Sequence, residues 1–335
     1  MEQLIEIGVF FGKFLVVFFF IAALAILATG LAMKSKMKPD LQVENLNEHL
    51  NEIETSIQSV VLSKKELKEQ LKANKKKSKT ESQNQRRIFL LKFDGDIKAS
   101  AVKELRDEIT AVITVAKPID EVVLLIESPG GTVHGYGLAA AQILRLKKAG
   151  LNVVAAVDKV AASGGYMMAC TAHKIIAAPF AIIGSIGVLA QVPNFHKLLK
   201  KNNVDYEEIS SGEYKRTVSL LGEITEKGRS KFQEQIVETH GLFKSFVERE
   251  RPQVDISQVA TGEYWFGSRA KELRLVDEIM TSDEYLYSQK DSAQIFSIKY
   301  VPKKKLSEKL SESLGQVAVK ITHHITEKFT DRPLL

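Results

Sequence analysis

The chain has 335 residues, 44% of them hydrophobic, so it is long enough for one large domain or two ordinary ones with a substantial core. The net charge is +6, and the excess positive charge is unevenly distributed, because the basic residues concentrate at 34–87 and again at 303–305. That distribution indicates a membrane-proximal surface rather than a nucleic-acid-binding one. A single cysteine, Cys170, excludes an intramolecular disulfide framework and a cysteine-rich metal site, and we expect it to be a small core residue.

An uncharged apolar run at residues 14–33 predicts a transmembrane anchor. As a helix it would span about 30 Å, the thickness of the hydrocarbon core of a bilayer. A cleaved signal peptide is the alternative, but the run exceeds the usual apolar core of about 7 to 15 residues, and no small-x-small cleavage site precedes the next lysines. The lysines at 34, 36 and 38 predict, by the positive-inside tendency, that the bulk of the protein lies in the cytoplasm. Residues 1–38 therefore form the expected membrane domain.

Residues 39–87 are expected to form a charged helical stalk and linker. Between residues 43 and 71, apolar side chains recur at alternating spacings of three and four, with one break at Lys64. This pattern is typical either of a short coiled-coil stalk that self-associates or of one amphipathic helix lying on the membrane or on the folded domain. Residues 72–87 have almost no apolar side chain, which predicts a solvated linker without the aromatics that stack on nucleic-acid bases.

Alternating strand and helix patterns from residue 88 onward predict a largely parallel α/β domain at 88–295. The expected strands are 88–97, which includes a turn, 121–128 and 151–158, and the expected helices between them are 99–115 and 133–148. Further along we expect a helix and a strand at 198–210, a long amphipathic helix at 225–250, and at 261–279 a turn, a helix and a return to the sheet. The tail at 296–335 carries an apolar stripe typical of an amphipathic helix that packs on the core or mediates oligomer contacts.

The stretch at residues 160–188 contains the strongest catalytic signal. Ser163 follows a strand end of small residues and precedes Gly164 and Gly165, after which residues 166–173 are predicted to be helical. Paired glycines let a carbonyl group approach the backbone, and N–H groups at the start of a helix stabilise negative charge, as a reacting serine requires. A buried Gly-Ser turn that only packs a helix on a sheet explains the same residues, so both interpretations stay open at this point.

A serine nucleophile needs a base, and no histidine stands in a recognisable motif. His173 lies on the same predicted helix as the glycines and points away from Ser163, while His134, after the Pro-Gly-Gly turn, is its only competitor. Lysine can serve instead if desolvation lowers its pKa from about 10.4 toward neutrality. Lys215, in a polar and turn-rich segment, is the candidate, although a surface lysine is the usual interpretation of such a residue.

Five motifs follow one another in this chain: ESPGGTVHGYGLAAAQ, DKVAASGGYMMAC, APFAIIGSIGV, SGEYKRT and TGEYWFGSRAKELRLVDE. Together they resemble the signal peptide peptidase A family of membrane serine peptidases, most closely its SohB-type members. The likeness covers residues 88–285, and the anchor and charged helical region also suit that type. It implies an α/β fold of repeated β-β-α units, similar to Clp protease and crotonase, and a Ser/Lys dyad that degrades signal peptides or other membrane-associated polypeptides.

The resemblance assigns roles to individual residues of this chain. It implies that Ser163 is the nucleophile, that Lys215 is the general base, and that the hydroxyl of Ser185 orients the lysine amine. The oxyanion hole would consist of the N–H groups of Gly164 and, in the Pro-Gly-Gly turn, of Gly131. Neutral lysine would take the serine proton as Oγ attacks the peptide carbonyl, and water activated by the same amine would release the acyl-enzyme. Such a mechanism requires no metal and no other cofactor.

The resemblance also implies an assembly and a location. In double-length relatives the lysine and the serine lie in different repeats of one chain, so this single-length chain is expected to form a homo-oligomeric ring or dome whose sites are completed across subunits. The expected location is the bacterial inner membrane, with a single membrane pass. The wider family often carries its peptidase domain on the outer face, which conflicts with the lysines after the anchor, so the face stays open.

Two other functions fit parts of the sequence. A crotonase-type acyl-CoA enzyme would share the fold and the glycine-lined oxyanion hole, and a non-catalytic membrane scaffold would use the helical region and the tail. The anchor and the motifs ASGGY and SGEYK favour the peptidase. Its expected partners are polypeptide substrates, the lipid bilayer and further copies of the chain, with no nucleic acid.

Overall fold

A computed structural model of the chain describes residue 15 and residues 18–21, 41–69 and 86–301. Among these, no helix is both long and apolar enough to cross a bilayer. The anchor predicted at 14–33, apart from the positions just given, lies outside the described residues, as do most of the predicted linker and the tail beyond residue 301. Val43–Tyr300 form one compact unit; Met1–Gln42 and Val301–Leu335 are grouped as a second, most of which is likewise outside the described residues.

A seven-stranded sheet forms the centre of the compact unit, in the order β1-β10-β2-β3-β4-β6-β9. Neighbouring strands from β10 to β9 are all parallel. A parallel sheet is buried on both faces, which explains continuous apolar runs such as VVLLI in β3 and VVAAV in β4. The strands are β1 (Leu41–Asn45), β2 (Arg86–Asp94), β3 (Glu121–Glu127), β4 (Asn152–Val157), β6 (Lys174–Ala177), β9 (Glu278–Ile279) and β10 (Ala293–Tyr300).

A second, three-stranded sheet of short strands carries the Ser163 segment. It consists of β5 (Val160–Ala162), β7 (Ile182–Gly184) and β8 (Tyr264–Phe266), in that order. β5 and β7 are parallel, whereas β7 and β8 are antiparallel. A single parallel bridge joins Ser128, just after β3, to Ala161 in β5. The end of the large sheet therefore meets the small one at the Pro-Gly-Gly turn.

Most of the predicted helices are confirmed. The helix predicted at 133–148 has those bounds, and the long helix predicted at 225–250 begins one residue later, after Thr225, whose side chain caps it by accepting from the N–H of Gly228 at 3.1 Å. The helices are α1 (Leu46–Val61), α2 (Val102–Val115), α3 (Val133–Lys148), α4 (Gly164–Ala169), α5 (His196–Lys201), α6 (Glu226–Glu250), α7 (Ile256–Val259), α8 (Gly267–Glu272) and α9 (Ser282–Gln289).

Three expectations about secondary structure are corrected. The helix after Ser163 starts earlier than predicted, at Gly164. It is also short, because the chain returns to the large sheet as β6 after a few residues. The strand predicted within 198–210 is wrong, since residues 202–210, which follow α5, form no strand. Residues 293–300 were not predicted as a strand, yet they form β10, which lies between β1 and β2 and is second in the order of the large sheet.

Helix α1 packs on the folded domain at its first turn. The side chain of Asn47 donates to the carbonyls of Lys290 and Ala293, at 2.8 and 3.0 Å, and accepts from the N–H of Ile295 at 2.7 Å. Leu46 packs against the core cluster of the central sheet. Of the two interpretations of this region, the contacts therefore favour a helix lying on the folded domain, at least at its N-terminal end.

The core lies around the central parallel strands. Ile88, Val123, Val154 and Ile176 are each at most 1% exposed, and they occupy four neighbouring strands. Cys170 is fully buried, as predicted for a small core residue, and burial raises the pKa of its thiol. This packed centre holds the strand ends on which the candidate site is built.

Candidate active site

Ser163 lies at the junction between β5 and α4 in a strained backbone conformation. Its φ of 51° is in the left-handed region, which residues with a side chain rarely adopt. The N–H of Ser163 donates to the carbonyl of Gly184 at 2.7 Å, which holds the backbone in place. Its side chain is half-buried, whereas the residues of α4 that follow are buried. A sharp strand-to-helix turn of this kind presents a side chain at the strand end.

Ser185 occupies the equivalent position on the neighbouring strand. Ala162 in β5 pairs with Gly184 in β7, so the serines that follow these two residues lie side by side. Ser185 also has a positive φ, of 52°, and its N–H donates to the carbonyl of Glu263 at 2.7 Å. The parallel register of two short strands thus brings together Ser163 and Ser185.

The Pro-Gly-Gly turn at residues 129–131 packs directly against Ser163. A Cβ atom added to Gly130 would lie 2.7 Å from the Cβ of Ser163 and 2.9 Å from the nitrogen of Gly164, so only glycine allows this approach. The N–H of Gly130 donates to the side chain of Ser128 at 3.1 Å. Within the described part of the chain, the N–H groups of Gly131 and Gly164 have no hydrogen-bond partner. The turn and the start of α4 thus each leave one N–H group free beside Ser163.

Two histidines near the site, His173 and His240, make structural contacts. Nδ1 of His173 accepts a hydrogen bond from the N–H of Val153 at 3.1 Å, and burial, together with the charge of Lys147, lowers the pKa of this imidazole. His173 was predicted to lie on the helix after Ser163, but it lies just before β6. Nε2 of His240 lies 3.1 Å from the carbonyl of the residue after Ser185.

The competitor His134 is exposed on the first turn of α3. None of the three histidines His134, His173 and His240 forms a hydrogen bond with Ser163 among the described contacts. None of these three histidines is therefore placed as a base for this serine within one chain.

Lys215 is exposed within one chain. It lies in the continuously exposed segment 205–216, and among the described residues no hydrogen bond joins its amine to Ser163 or Ser185. The chain just beyond it is held by Asn194, whose side chain donates to two main-chain carbonyls there at 2.8 and 2.9 Å. The structure thus assembles the two serines and the glycine N–H groups, whereas Lys215 is exposed and forms no hydrogen bond with them among the described residues.

Two buried residues beside the turn were missed by sequence reasoning, Ser128 and Tyr136. Both lie in the first of the five motifs, and neither has exposed surface. Their signal was available, because a hydroxyl on a buried strand end and another on a buried helix face each need a hydrogen-bond partner. Which partners they find depends on the tertiary fold.

Comparison with known proteins identifies the class of this chain. Residues 145–295 match Peptidase family S49, and residues 2–143 match Peptidase family S49 N-terminal. The chain therefore belongs to peptidase family S49. As a peptidase it acts on polypeptides, so the acyl-CoA enzyme and the non-catalytic scaffold lose their support.

Individual relatives refine this assignment to the SohB type, as the sequence resemblance predicted. A probable protease SohB of Haemophilus influenzae is 54% identical over 241 residues, which are 72% of this chain and 68% of the relative. A probable protease SohB of Buchnera aphidicola subsp. Acyrthosiphon pisum is 49% identical over 244 residues, 73% of this chain and 70% of the relative. Protease 4 of Haemophilus influenzae is more distant, at 29% identity over 57% of this chain and 30% of its own length.

Proposed function

We propose that the chain is a serine endopeptidase in which Ser163 is the nucleophile and Lys215 the general base. The neutral amine of Lys215 takes the proton of Ser163 as Oγ attacks the carbonyl carbon of the scissile peptide bond. The resulting ammonium then gives that proton to the leaving amine, and water activated by the same lysine hydrolyses the acyl-enzyme. Ser185 orients the lysine amine, and the N–H groups of Gly131 and Gly164 stabilise the oxyanion.

The main support for this proposal is the structural environment of Ser163. Its strained backbone turns the side chain out at a strand end, beside two N–H groups without partners among the described residues. Preorganised donors of this kind stabilise the charge that develops when a serine attacks a carbonyl. The parallel strands and the short second sheet also suit the proposed fold type, repeated β-β-α units similar to Clp protease and crotonase.

We infer that a second copy of the chain supplies the lysine. Within one chain Lys215 is exposed, and a lysine needs burial to lose its charge at neutral pH. Large apolar side chains around the same region are also exposed, among them Phe180 at 81%, Leu189 at 80% and Ile209 at 90%. Apolar side chains in this number are typical of a surface that another protein covers. A homo-oligomeric ring would bury both the side chains and the lysine.

The proposed substrates are signal peptides and other membrane-associated polypeptides, and the proposed location is the bacterial inner membrane. Both rest on the apolar run at 14–33 and on the family resemblance. The compact unit would then be held close to the bilayer, where such substrates are released.

The decisive experiment uses the full chain in membranes or detergent with a fluorogenic peptide substrate and a fluorophosphonate probe. Ser163→Ala is expected to abolish both turnover and labelling, and Lys215→Ala to lower turnover by at least about a thousandfold. Lys148→Ala, at an exposed lysine near the end of α3, serves as the matched control and keeps wild-type turnover. Turnover that survives in Ser163→Ala would rule out the proposal.

A further inference from the structure

A chain of buried hydroxyl groups lies directly behind the turn at 129–131. The hydroxyls of Ser128 and Tyr136 are 2.5 Å apart, and both residues have 0% exposure. The hydroxyl of Tyr136 is also 2.8 Å from the carbonyl oxygen of Asp96, and Ser128 Oγ is 3.1 Å from the nitrogen of Gly130. Four groups, three from residues 128–136 and one from Asp96, are therefore linked in one row.

The protons in this row have only one possible order. A carbonyl oxygen accepts and never donates, so Tyr136 must donate its single hydroxyl proton to Asp96. Ser128 must then donate to the oxygen of Tyr136, which leaves a lone pair of Ser128 to accept from the N–H of Gly130. Burial raises the pKa of Tyr136 above its ordinary value, so the hydroxyl keeps its proton through the neutral range.

This order decides which N–H group of the turn is left for a ligand. The N–H of Gly130 is occupied by Ser128, so it cannot face the reacting carbonyl. The main chain of Ser128 is fixed as well, since its N–H donates to Val160 at 2.8 Å and its carbonyl accepts from Ala162 at 3.0 Å. With residue 128 held on both sides, the next free donor is the N–H of Gly131.

The ring of Tyr136 contacts the other half of the proposed oxyanion hole. A Cβ atom added to Gly164 would lie 2.2 Å from Cγ of Tyr136, so the peptide after the nucleophile rests on this ring. Gly165 approaches the carbonyl of Ser128 in the same way, with an added Cβ at 2.6 Å. One side chain therefore touches both segments that carry the free N–H groups.

We propose that Tyr136, acting through Ser128, is the positioning residue that sets the spacing between the two oxyanion donors, Gly131 and Gly164. Its hydroxyl holds the turn by the row of hydrogen bonds, and its ring supports the peptide after Ser163. The inference rests on the proposed serine mechanism and adds to it the element that fixes the geometry. A donor displaced by a fraction of an ångström stabilises a developing oxyanion less, so the effect belongs to the chemical step.

Tyr136→Phe tests this role because it keeps the ring and removes the hydroxyl. We expect kcat per labelled Ser163 to fall by about 10- to 100-fold, with KM changed by less than about twofold. A peptide aldehyde forms a hemiacetal with the serine, and the same two N–H groups bind the hemiacetal oxygen. Its affinity should therefore fall by a similar factor.

Tyr166→Phe is the matched control. Tyr166 is equally buried, and its hydroxyl also donates to a main-chain carbonyl, that of Leu275 at 3.1 Å. Tyr166→Phe loses one buried hydrogen bond and Tyr136→Phe loses two, so both variants lose thermal stability. Tyr166→Phe should nevertheless keep wild-type kcat, and equal losses of kcat in the two variants would overturn the proposal.

Ser128→Ala provides a second route in case Tyr136→Phe folds poorly. It deletes a single oxygen, frees the N–H of Gly130 and leaves the ring of Tyr136 in place. We expect kcat to fall as it does in Tyr136→Phe, and the double variant to lose little more than either single one, because the row acts as a unit. Wild-type kcat in folded Ser128→Ala overturns the positioning role, whereas turnover in Ser163→Ala would instead refute the serine mechanism.

Discussion

Ser163 and Ser185 share a backbone conformation that costs free energy. Each has a φ slightly above +50° although neither is glycine. Conformations of this kind persist only where the surrounding structure enforces them, and here main-chain hydrogen bonds from both N–H groups do so. The result is a pair of hydroxyls projecting from adjacent strand ends.

Gly131 is the residue of the turn where a side chain is least tolerated. A Cβ atom there would lie 2.1 Å from the carbonyl oxygen of Ile97, which is main chain and cannot move aside alone. We expect Gly131→Ala to displace the turn and lower turnover by at least about 100-fold. Turnover per folded protein and the thermal unfolding midpoint are the measurements.

Gly137→Ala, in the next helix, is the control for that substitution. No atom lies within 4 Å of its added Cβ, so alanine should stabilise α3 by about 0.5–1 kcal/mol and leave turnover unchanged. If Gly131→Ala kept wild-type turnover, its N–H group could not be an essential donor in that position.

At the scale of elements, the site is formed where two sheets meet. The bridge between Ser128 and Ala161 connects the end of β3 to β5, and the register of β5 with β7 places the two serines together. Parallel strands put all their carboxyl ends on one edge, so loops distant in sequence converge there. The helices behind this edge mainly hold it in place.

Helix α2 packs beside β10 through a buried carboxyl group. Glu108 is 4% exposed; its Oε1 accepts from the N–H of Tyr300 at 2.8 Å, while its Oε2 is buried without a partner in the described structure. Burial raises the pKa of Glu108, against the opposing effect of the hydrogen bond from Tyr300. The ionised form is therefore destabilised in the folded state.

Glu108→Gln is expected to stabilise the protein at neutral pH and not in acid. The wild-type carboxyl favours folding below its unfolded-state pKa, near 4.5, and this contribution is lost as the pH rises through the raised folded-state pKa. At pH 7.5 the variant should unfold about 2 °C or more above wild type, and at pH 4 the two should coincide. Glu248→Gln, at an exposed position on α6, is the control, and a difference independent of pH would contradict this account.

At the scale of the whole molecule, the proposed base Lys215 is exposed within one chain and forms no hydrogen bond with Ser163 among the described residues. If the base comes from a neighbouring copy, two inactive variants can complement each other. Co-expressed Ser163→Ala and Lys215→Ala, purified through two different tags, should recover about a quarter of wild-type activity, because in randomly mixed rings that fraction of all interfaces combines an intact serine with an intact lysine. Complete inactivity of the mixed assemblies would place both residues in the same chain.

The sequence predicted the parts of the fold that depend on local pattern. The buried β3 and the bounds of α3 follow from apolar periodicity and from the Pro-Gly-Gly turn between them. β10 was missed because only the short turn at 290–292 separates it from α9 and because it precedes a tail with a helical stripe. The predicted strand after α5 failed because its few apolar residues find no neighbouring strand.

For the site, the sequence by itself determined which residues we propose for the chemistry: the serine after a small-residue strand, the glycines that allow close approach, and a lysine in place of a histidine. Only the tertiary structure decided how these residues are arranged. Strand register brings Ser185 beside Ser163, the packing of Tyr136 on Gly164 joins two segments, and Lys215 lies exposed within one chain. The physical reason is that residue type and spacing specify local geometry, whereas distances between strand ends follow from the packing of the whole core.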